Sequence, residues 1–288
     1  MGTSQRHNPS VKGEPNWGKS STSFSAAIKN LINLEDLEDD MNNDDEDQND
    51  DNQTPEQQQE KRTLEKKQRR YNRSYHRNVR NAVKRLIKSS GGTRAVASGS
   101  SRAVGHAGLA VLYNVFDAFT EISSKGIAGW LFDKGITLEH ITWEDLKDIL
   151  IDVCSEEVVG LDETAANQAL RDLLENMSEL MNGTDNVEEA LNQFLDSRLA
   201  IEQIERFIGS YIFAHLYQNF EEKLEKKYDR DTITNNLMPQ IKDTIIDDVK
   251  SGVNGHRAID VDLTGEEGHR FIQNEFNDII TNLMEDED

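Results

Sequence analysis

The stretch KRLIKSSGGTRAVASGSSRAVGHAGLAVLYNVFDAFTEI, residues 84–122, decides the fold, because the chain changes character within it. It begins basic, passes through glycine, alanine and serine, and ends strongly apolar. A helix that starts near Thr93 and runs through this stretch would align Ala95, Gly99, Ala103 and Ala107, since steps of four residues stay on one face. A wide apolar face beside this line would make the second half a core helix.

Two interpretations of the small-residue line stay open. It is either a seam for close helix packing or a docking surface bordered by Arg94, Ser98, Arg102 and His106, which also follow a four-residue step. Arginine presents a fork of donors that suits carboxylate or phosphate groups. The partner-binding candidates are therefore Arg94, Gly99, Arg102 and His106. A membrane span is not expected, because the apolar run covers only about ten residues and a bilayer needs roughly 20.

The composition indicates an all-α protein. The 288 residues are 35% hydrophobic with a net charge of -22 and only 4 prolines, and strand-like alternation is scarce. We expect a multi-helix bundle preceded by a disordered N-terminal arm and an acidic linker. The single Cys154 excludes an internal disulfide, and no signal peptide pattern is present, so we expect a cytoplasmic protein.

Charge divides the chain into four parts. Residues 1–34 form a predicted flexible arm, and residues 35–60 form an acidic low-complexity linker with 13 acidic and no basic residues. Residues 61–122 hold a basic helix and the Gly/Ala/Arg-rich helix, and residues 123–288 form an acidic helical body. The basic part lies between acidic parts that can neutralise it, which weakens nucleic acid as its partner.

The N-terminal arm carries three features. Removal of Met1 would leave a free Gly2 amine, while Arg6 disfavours myristoylation. Trp17 stands alone in polar sequence, so it is either an anchor for a partner or an exposed aromatic ring. A short helix capped by Ser25 would be marginal unless it docks on other elements.

The basic helix at residues 61–89 allows a second interpretation of function. Tyr71 and Tyr75 alternate with lysine and arginine, a pattern that suits single-stranded nucleic acid as well as an ordinary amphipathic helix. The alternative function is therefore a nucleic-acid-binding module that uses residues 61–102.

The sequence of the body, residues 123–288, predicts a series of capped helices. Thr142 and Asp145 resemble a capping box that opens residues 143–153, and Asp162 is expected to cap residues 163–181. Residues 200–228 have the dense apolar pattern of a central core helix.

The residues indicate no catalytic site, metal site or cofactor. The seven histidines form no His-x-x-x-His pair, and no complete phosphate-binding loop is present. His215 lies on an apolar helix face, where a hydrogen-bonded core histidine is more common than a metal ligand.

The order of these sequence features along the chain resembles that in the QatB family of the Qat anti-phage defence system. The resemblance rests on MGTS at residues 1–4, on Pro15 and Trp17 in the arm, and on SSGGTRAVASGSSRAVGHAG at residues 89–108, before an acidic helical remainder. The long Asp/Asn run at residues 39–52 departs from the family pattern. Members of this family are encoded with an ATPase (QatA), a QueC-like enzyme (QatC) and a TatD-like nuclease (QatD).

The resemblance implies a non-enzymatic protein that is a substrate or partner of the QueC-like enzyme. Such enzymes activate the carboxylate of a 7-deazaguanine base by adenylation, and related defence enzymes couple the activated base to an N-terminal glycine. The matching acceptor here is Gly2, with Thr3, Ser4 and Trp17 as the residues that the enzyme would recognise. An α-amino group with a pKa near 8 is a better nucleophile at neutral pH than a lysine.

Overall fold

The computed structural model describes residues 17–45, 55–137, 142–157, 159–181, 191, 197–226, 232–252 and 265–285. These residues are almost entirely helical and contain no β-strand, which confirms the all-α prediction for this part of the chain. The helices are α1 (Gly18–Asp45), α2 (Pro55–Ser89), α3 (Thr93–Ala97), α4 (His106–Asp133), α5 (Trp143–Cys154), α6 (Leu161–Met181), α7 (Ser197–Glu225), α8 (Met238–Gly252) and α9 (Gly265–Asn282). A π-helical turn, Ile233–Leu237, leads into α8.

The centre of the bundle is α7, which packs against α6 and α8 and also contacts α1, α2, α4 and α9. Its apolar side chains are buried around the whole circumference, as expected of a helix surrounded by others. Gly209 allows α8 to approach closely, because a Cβ at this position would lie 2.9 Å from the Cα of Ile246. The prediction of a central core helix at residues 200–228 is thus confirmed with slightly different ends.

Helix α1 differs from the predicted arm and linker. It spans residues 18–45, so it covers half of the predicted arm and the first part of the acidic linker. Phe24 and Ile28 are fully buried, and the Phe24 ring lies 5.5 Å from that of Phe220 in α7. Docking on the body therefore stabilises a helix that would be marginal alone. Ser25 lies inside the helix and does not cap it.

Helices α1 and α2 form an antiparallel pair. Near one end the Ser20 hydroxyl donates to the carbonyl oxygen of Ala82 at 2.8 Å, and near the other the Gln68 side chain donates to Glu38 at 3.4 Å. One hydrophobic cluster contains residues of this pair and of the body. The pair is therefore part of the same core as the helices that follow it.

The expected continuous helix through residues 93–122 is wrong. Helix α3 ends at Ala97 and α4 begins at His106, and Gly99 and Gly105 between them have φ angles of 67° and 113°. Positive φ angles are incompatible with a right-handed helix, so the line of small residues from Ala95 to Ala107 does not form. A further break occurs inside α4 at Gly126, with φ 75°.

One local prediction in the body is confirmed and one is wrong. Thr142 and Asp145 form a capping box at the start of α5, with both reciprocal hydrogen bonds present. The Asp162 carboxylate, in contrast, accepts hydrogen bonds from the backbone at the start of α4. Asp162 therefore caps a different helix from the expected one.

None of the described helices combines the length and the apolarity needed to cross a bilayer.

Candidate functional site

The predicted partner-binding residues lie on α3, in the loop between α3 and α4, and at the first residue of α4. Arg94, Arg102 and His106 are exposed, and Gly99 is partly buried. The His106 Nδ1 atom lies 3.1 Å from the carbonyl oxygen of Gly99, which ties the loop to the first turn of α4. Arg94 thus lies on α3, Arg102 in the loop and His106 at the start of α4, and the four-residue helical step that first connected them is absent.

The loop is fixed by hydrogen bonds at its start and in its middle. The buried Ser101 hydroxyl donates to the carbonyl oxygen of Ser90 at 2.6 Å, and the Gln273 amide of α9 donates to the carbonyl oxygen of Ala97 at 2.7 Å. A loop whose polar groups are paired with the body holds its exposed side chains in defined positions. The backbone that carries Arg102 is therefore held in a defined position.

Glycine is required at two positions of this loop. A Cβ at Gly105 would lie 2.4 Å from the carbonyl oxygen of Val96, and one at Gly99 would lie 2.7 Å from the Leu109 Cδ1 atom. Both residues also have left-handed φ angles that other residues rarely adopt. Gly99 is thus explained by local geometry, whether or not a partner binds there.

A buried polar cluster holds the start of α4 against the body. The two carboxylate oxygens of Asp162 accept from the backbone N–H groups of Gly105 at 3.3 Å and Ala107 at 2.8 Å. The Tyr211 hydroxyl is hydrogen-bonded to Asp162, and the His215 Nε2 atom lies 3.1 Å from the same carboxylate. A carboxylate at a helix N-terminus satisfies free N–H groups and complements the positive end of the helix dipole.

This cluster is structural. Asp162 is 2% exposed, and Tyr211 and His215 are 0% exposed, so no substrate reaches them. Burial raises the pKa of Asp162, but the hydrogen bond from His215 and the other donors outweigh it and leave this pKa below its usual value. The carboxylate therefore stays ionised as a helix cap.

Among the described residues, the single cysteine is not activated as a nucleophile and no metal cluster is found. Cys154 is buried, and burial raises the pKa of its thiol to about 12, so the reactive thiolate does not form at neutral pH. Within the described ranges no group of three or more His, Cys, Asp and Glu side chains is arranged to hold a metal ion.

The predicted modification site lies outside the described residues, which begin at Trp17. Gly2, Thr3 and Ser4 are therefore not placed. Trp17 is partly buried and packs against the hydrophobic core just before α1. Its surroundings differ from the isolated position expected from the sequence, because the docked α1 supplies the apolar surface that the polar arm lacks.

Helix α2 separates the aromatic and cationic residues that alternate in its sequence. Tyr71 packs against the core, and Tyr75 is 4% exposed with its hydroxyl 2.9 Å from that of Thr244. The opposite side of the helix is exposed and carries a row that we name the cationic face: Lys66, Arg69, Arg70, Arg73 and Arg77. Tyr75 is thus not available to stack on nucleic-acid bases, and Tyr71 is only partly exposed.

With this geometry established, comparison with known proteins identifies the family. The family model described as Qat anti-phage system associated protein QatB matches residues 91–283, about two thirds of the chain. The chain belongs to the QatB family. This QatB member is therefore a component of the Qat anti-phage system, and other components of that system are its partners. No curated protein and no solved structure matches it.

The matched region of QatB begins at Gly91, so it contains the loop with Arg94, Arg102 and His106 and the whole Asp162 cluster. It does not include α1, α2 or the residues before them. The sequence alone missed the Asp162 cluster, because Asp162 lies more than 45 positions from Tyr211 and His215 and more than 50 from the α4 start that it caps. The only signal was an isolated histidine on an apolar helix face.

Proposed function

We propose that this QatB protein is a non-enzymatic protein substrate and partner of the QueC-like enzyme QatC, with Gly2 as the acceptor of a 7-deazaguanine-type modification. The observation that carries the proposal is the membership in the QatB family together with the Met-Gly-Thr-Ser start of the sequence. After removal of Met1, the α-amine of Gly2 is the nucleophile that attacks the adenylated carboxylate of the base. An amide bond forms, AMP leaves, and the amine loses a proton.

The fold supports this role by fixing the point from which the N-terminal residues extend. Trp17 packs on the core, and α1 is anchored by Phe24 and Ile28. The fifteen residues from Gly2 to Asn16 span at most about 50 Å when fully extended. That length is sufficient for Gly2, Thr3 and Ser4 to enter the active site of an enzyme bound elsewhere on the body.

The loop between α3 and α4 is the proposed binding surface for QatC. The exposed Arg94 lies on α3 and the exposed Arg102 on the loop, which is hydrogen-bonded to Ser90 and to α9. Arginine suits such a surface because its planar fork binds carboxylates in two contacts. The ATPase and the TatD-like nuclease of the same system are further candidate partners.

Mass spectrometry tests the acceptor role. The protein is purified after co-expression with QatC and again without it, and the N-terminal peptide is measured. We expect an added deazaguanine-sized mass on Gly2 that is absent without QatC and absent in Gly2→Pro. Gly13→Pro is the matched control, since it changes the same residue type in the same segment and keeps the Gly2 amine. An unmodified Gly2 in the presence of active QatC would contradict the proposal.

Binding measurements test the surface separately. The double variant Arg94→Gln/Arg102→Gln is expected to weaken binding of QatC at least about tenfold, as expected when two charged hydrogen bonds are lost. Arg171→Gln/Arg270→Gln is the control, because it removes two exposed charges elsewhere on the body. Equal affinity of both variants for QatC would exclude the loop as the binding surface.

A further inference from the structure

The cationic face of α2 has no acidic partner that neutralises it within the described part of the chain. Its one close contact is between Arg69 and Glu65, at 4.0 Å and with both side chains well exposed. Such surface pairs contribute little, with a median of about 0–1 kcal/mol. Further along α2, in contrast, Arg80 binds Asp248 at 3.0 Å, and Lys84 donates to the Glu285 carbonyl oxygen. The helix thus pairs its cations where it meets the body and leaves them exposed beyond it.

Glu38 in the acidic part of α1 does not cover most of this face. It reaches α2 at Gln68, which lies about 200° around the helix from both Lys66 and Arg70. Glu38 is therefore on the opposite side of α2 from these two cations, whereas Arg69, at the edge of the cationic face, lines the same pocket as Glu35 and Glu38. About one helix diameter, about 10 Å, separates Glu38 from Lys66 and Arg70, which is close to the Debye length at 0.1 M salt. Much of the attraction between these charges is therefore screened.

The composition of the cationic face favours phosphate over a protein partner. The exposed large apolar residues of the described chain are Phe132, Val153 and Val159, and none of them lies on α2. Protein interfaces have an apolar or aromatic centre, whereas nucleic-acid interfaces are more polar and strongly positive. A row of five cations with no apolar centre matches the second type.

The geometry also favours a duplex over a single strand. Lys66 and Arg77 are eleven residues apart, which corresponds to about 17 Å along a straight helix, and the same side chains line a shallow groove of about 550 Å³. A duplex presents about five phosphates per strand over that length. Binding of single strands relies on exposed aromatic rings, whereas Tyr75 is buried and Tyr71 is partly buried against the core.

We propose that the cationic face of α2 binds the phosphate backbone of double-stranded nucleic acid without reading its sequence. The contact involves Lys66, Arg70, Arg73 and Arg77, with Arg69 at its edge. It is independent of the Gly2 modification and of the QatC surface, since α2 lies outside both. Because the net charge is -22, the rest of the surface repels nucleic acid and the contact is limited to this face. Binding is sensitive to salt, because it depends on contacts with phosphates.

Fluorescence anisotropy with the full-length, unmodified protein tests the proposal. The probes are labelled 20-base-pair DNA and RNA duplexes of arbitrary sequence and the matching single strands, each titrated between 50 and 200 mM salt. We expect both duplexes to bind at least as tightly as the single strands. The logarithm of the affinity should fall with the logarithm of the salt concentration with a slope of about -4, because four phosphate contacts each contribute about -0.9.

The quadruple variant Lys66→Gln/Arg70→Gln/Arg73→Gln/Arg77→Gln should lose at least about 30-fold in duplex affinity at 50 mM salt, and its slope should approach zero. The control Arg171→Gln/Lys226→Gln/Lys250→Gln/Arg270→Gln removes the same charge from exposed positions outside α2 and should lose less than about threefold. Glutamine keeps a helix propensity similar to those of lysine and arginine. Should the quadruple variant fail to fold, the single Arg73→Gln variant should still reduce the slope by about one.

Three results would overturn the proposal. One is the absence of duplex binding at 50 mM salt. Another is an α2 variant that binds like its control. The last is displacement of the duplex by poly-glutamate at an equal concentration of charge, which would assign the cationic face to an acidic protein.

Discussion

At the scale of single residues, Asp162 is the clearest structural determinant of the loop that carries the partner-binding candidates. Its two carboxylate oxygens receive different backbone N–H groups, from Gly105 and Ala107. The side-chain amide of an asparagine has only one acceptor oxygen, so one of these buried N–H groups would face another donor. An unsatisfied buried group of this kind is costly.

We therefore predict that Asp162→Asn lowers the free energy of unfolding by about 2–4 kcal/mol. Urea denaturation at pH 7 measures the change, with the exposed Asp152→Asn as the control. Because the folded state lowers the Asp162 pKa, its stabilisation is present above the unfolded pKa and is lost as the pH falls through the folded one. The difference between variant and wild type should therefore shrink only below about pH 4.

Glu205 in α7 has a pKa that is shifted in the opposite direction to that of Asp162. It is 1% exposed, and burial raises its pKa to about 7, although Lys250 acts to lower it. A carboxyl group with a raised folded pKa stabilises the protein below its unfolded pKa of about 4.5 and loses that contribution as the pH rises through 7.

We predict that Glu205→Gln raises the free energy of unfolding by about 1–3 kcal/mol at pH 8 and changes it little at pH 4. Urea denaturation at several pH values gives this profile, and the exposed Glu225→Gln on the same helix is the control. A gain that does not depend on pH would show that the titration of Glu205 is not its cause.

At the scale of elements, α1 shows how packing overrides a polar sequence. Its serine-rich start and acidic end indicate solvated chain, yet Phe24, Ala27 and Ile28 are 0% exposed. The two Arg85 hydrogen bonds, to the carbonyl oxygen of Lys19 and the hydroxyl of Ser23, fix the first turns on α2. The segment that connects to Gly2 is thereby held on the body.

We predict that Phe24→Ala releases α1 or destabilises the whole protein by about 3–5 kcal/mol. Hydrogen exchange over residues 18–45, together with urea denaturation, distinguishes local release from global loss. Lys29→Ala, at an exposed position of the same helix, should leave both unchanged. Normal protection of α1 in Phe24→Ala would mean that the ring does not anchor the helix.

At the scale of the whole molecule, one hydrophobic cluster joins the family-matched region to the helices before it. Val79, Leu86 and Ile87 of α2 are buried in the same cluster as Phe220 of α7. Loss of α1 and α2 would expose a contiguous apolar surface, which favours aggregation.

We predict that a fragment of residues 91–288 is less stable than the full chain and tends to self-associate. Thermal unfolding by circular dichroism and size-exclusion chromatography measure both properties. The control fragment of residues 17–288 keeps α1 and α2 and should behave like the full chain. A monomeric fragment of residues 91–288 with an unchanged melting temperature would show that the first two helices add nothing to the fold.

The sequence by itself determined the features that depend on neighbouring residues. The helical class, the capping box of Thr142 and Asp145 and the core pattern of α7 all follow from spacing along one helix. The Met-Gly start and the residues of the Gly/Ala/Arg stretch also indicated the family before any fold was known.

Only the tertiary structure decided features that depend on residues far apart in sequence. Packing of Phe24 on Phe220 turned a predicted arm into a helix, and crowding between Gly105 and Val96 showed that residues 98–105 form a loop. Asp162 caps α4 because folding brings its carboxylate to Gly105 and Ala107, more than 50 positions away. The energy of each such contact depends on a partner residue that only folding brings close. The pattern of neighbouring residues therefore does not predict it.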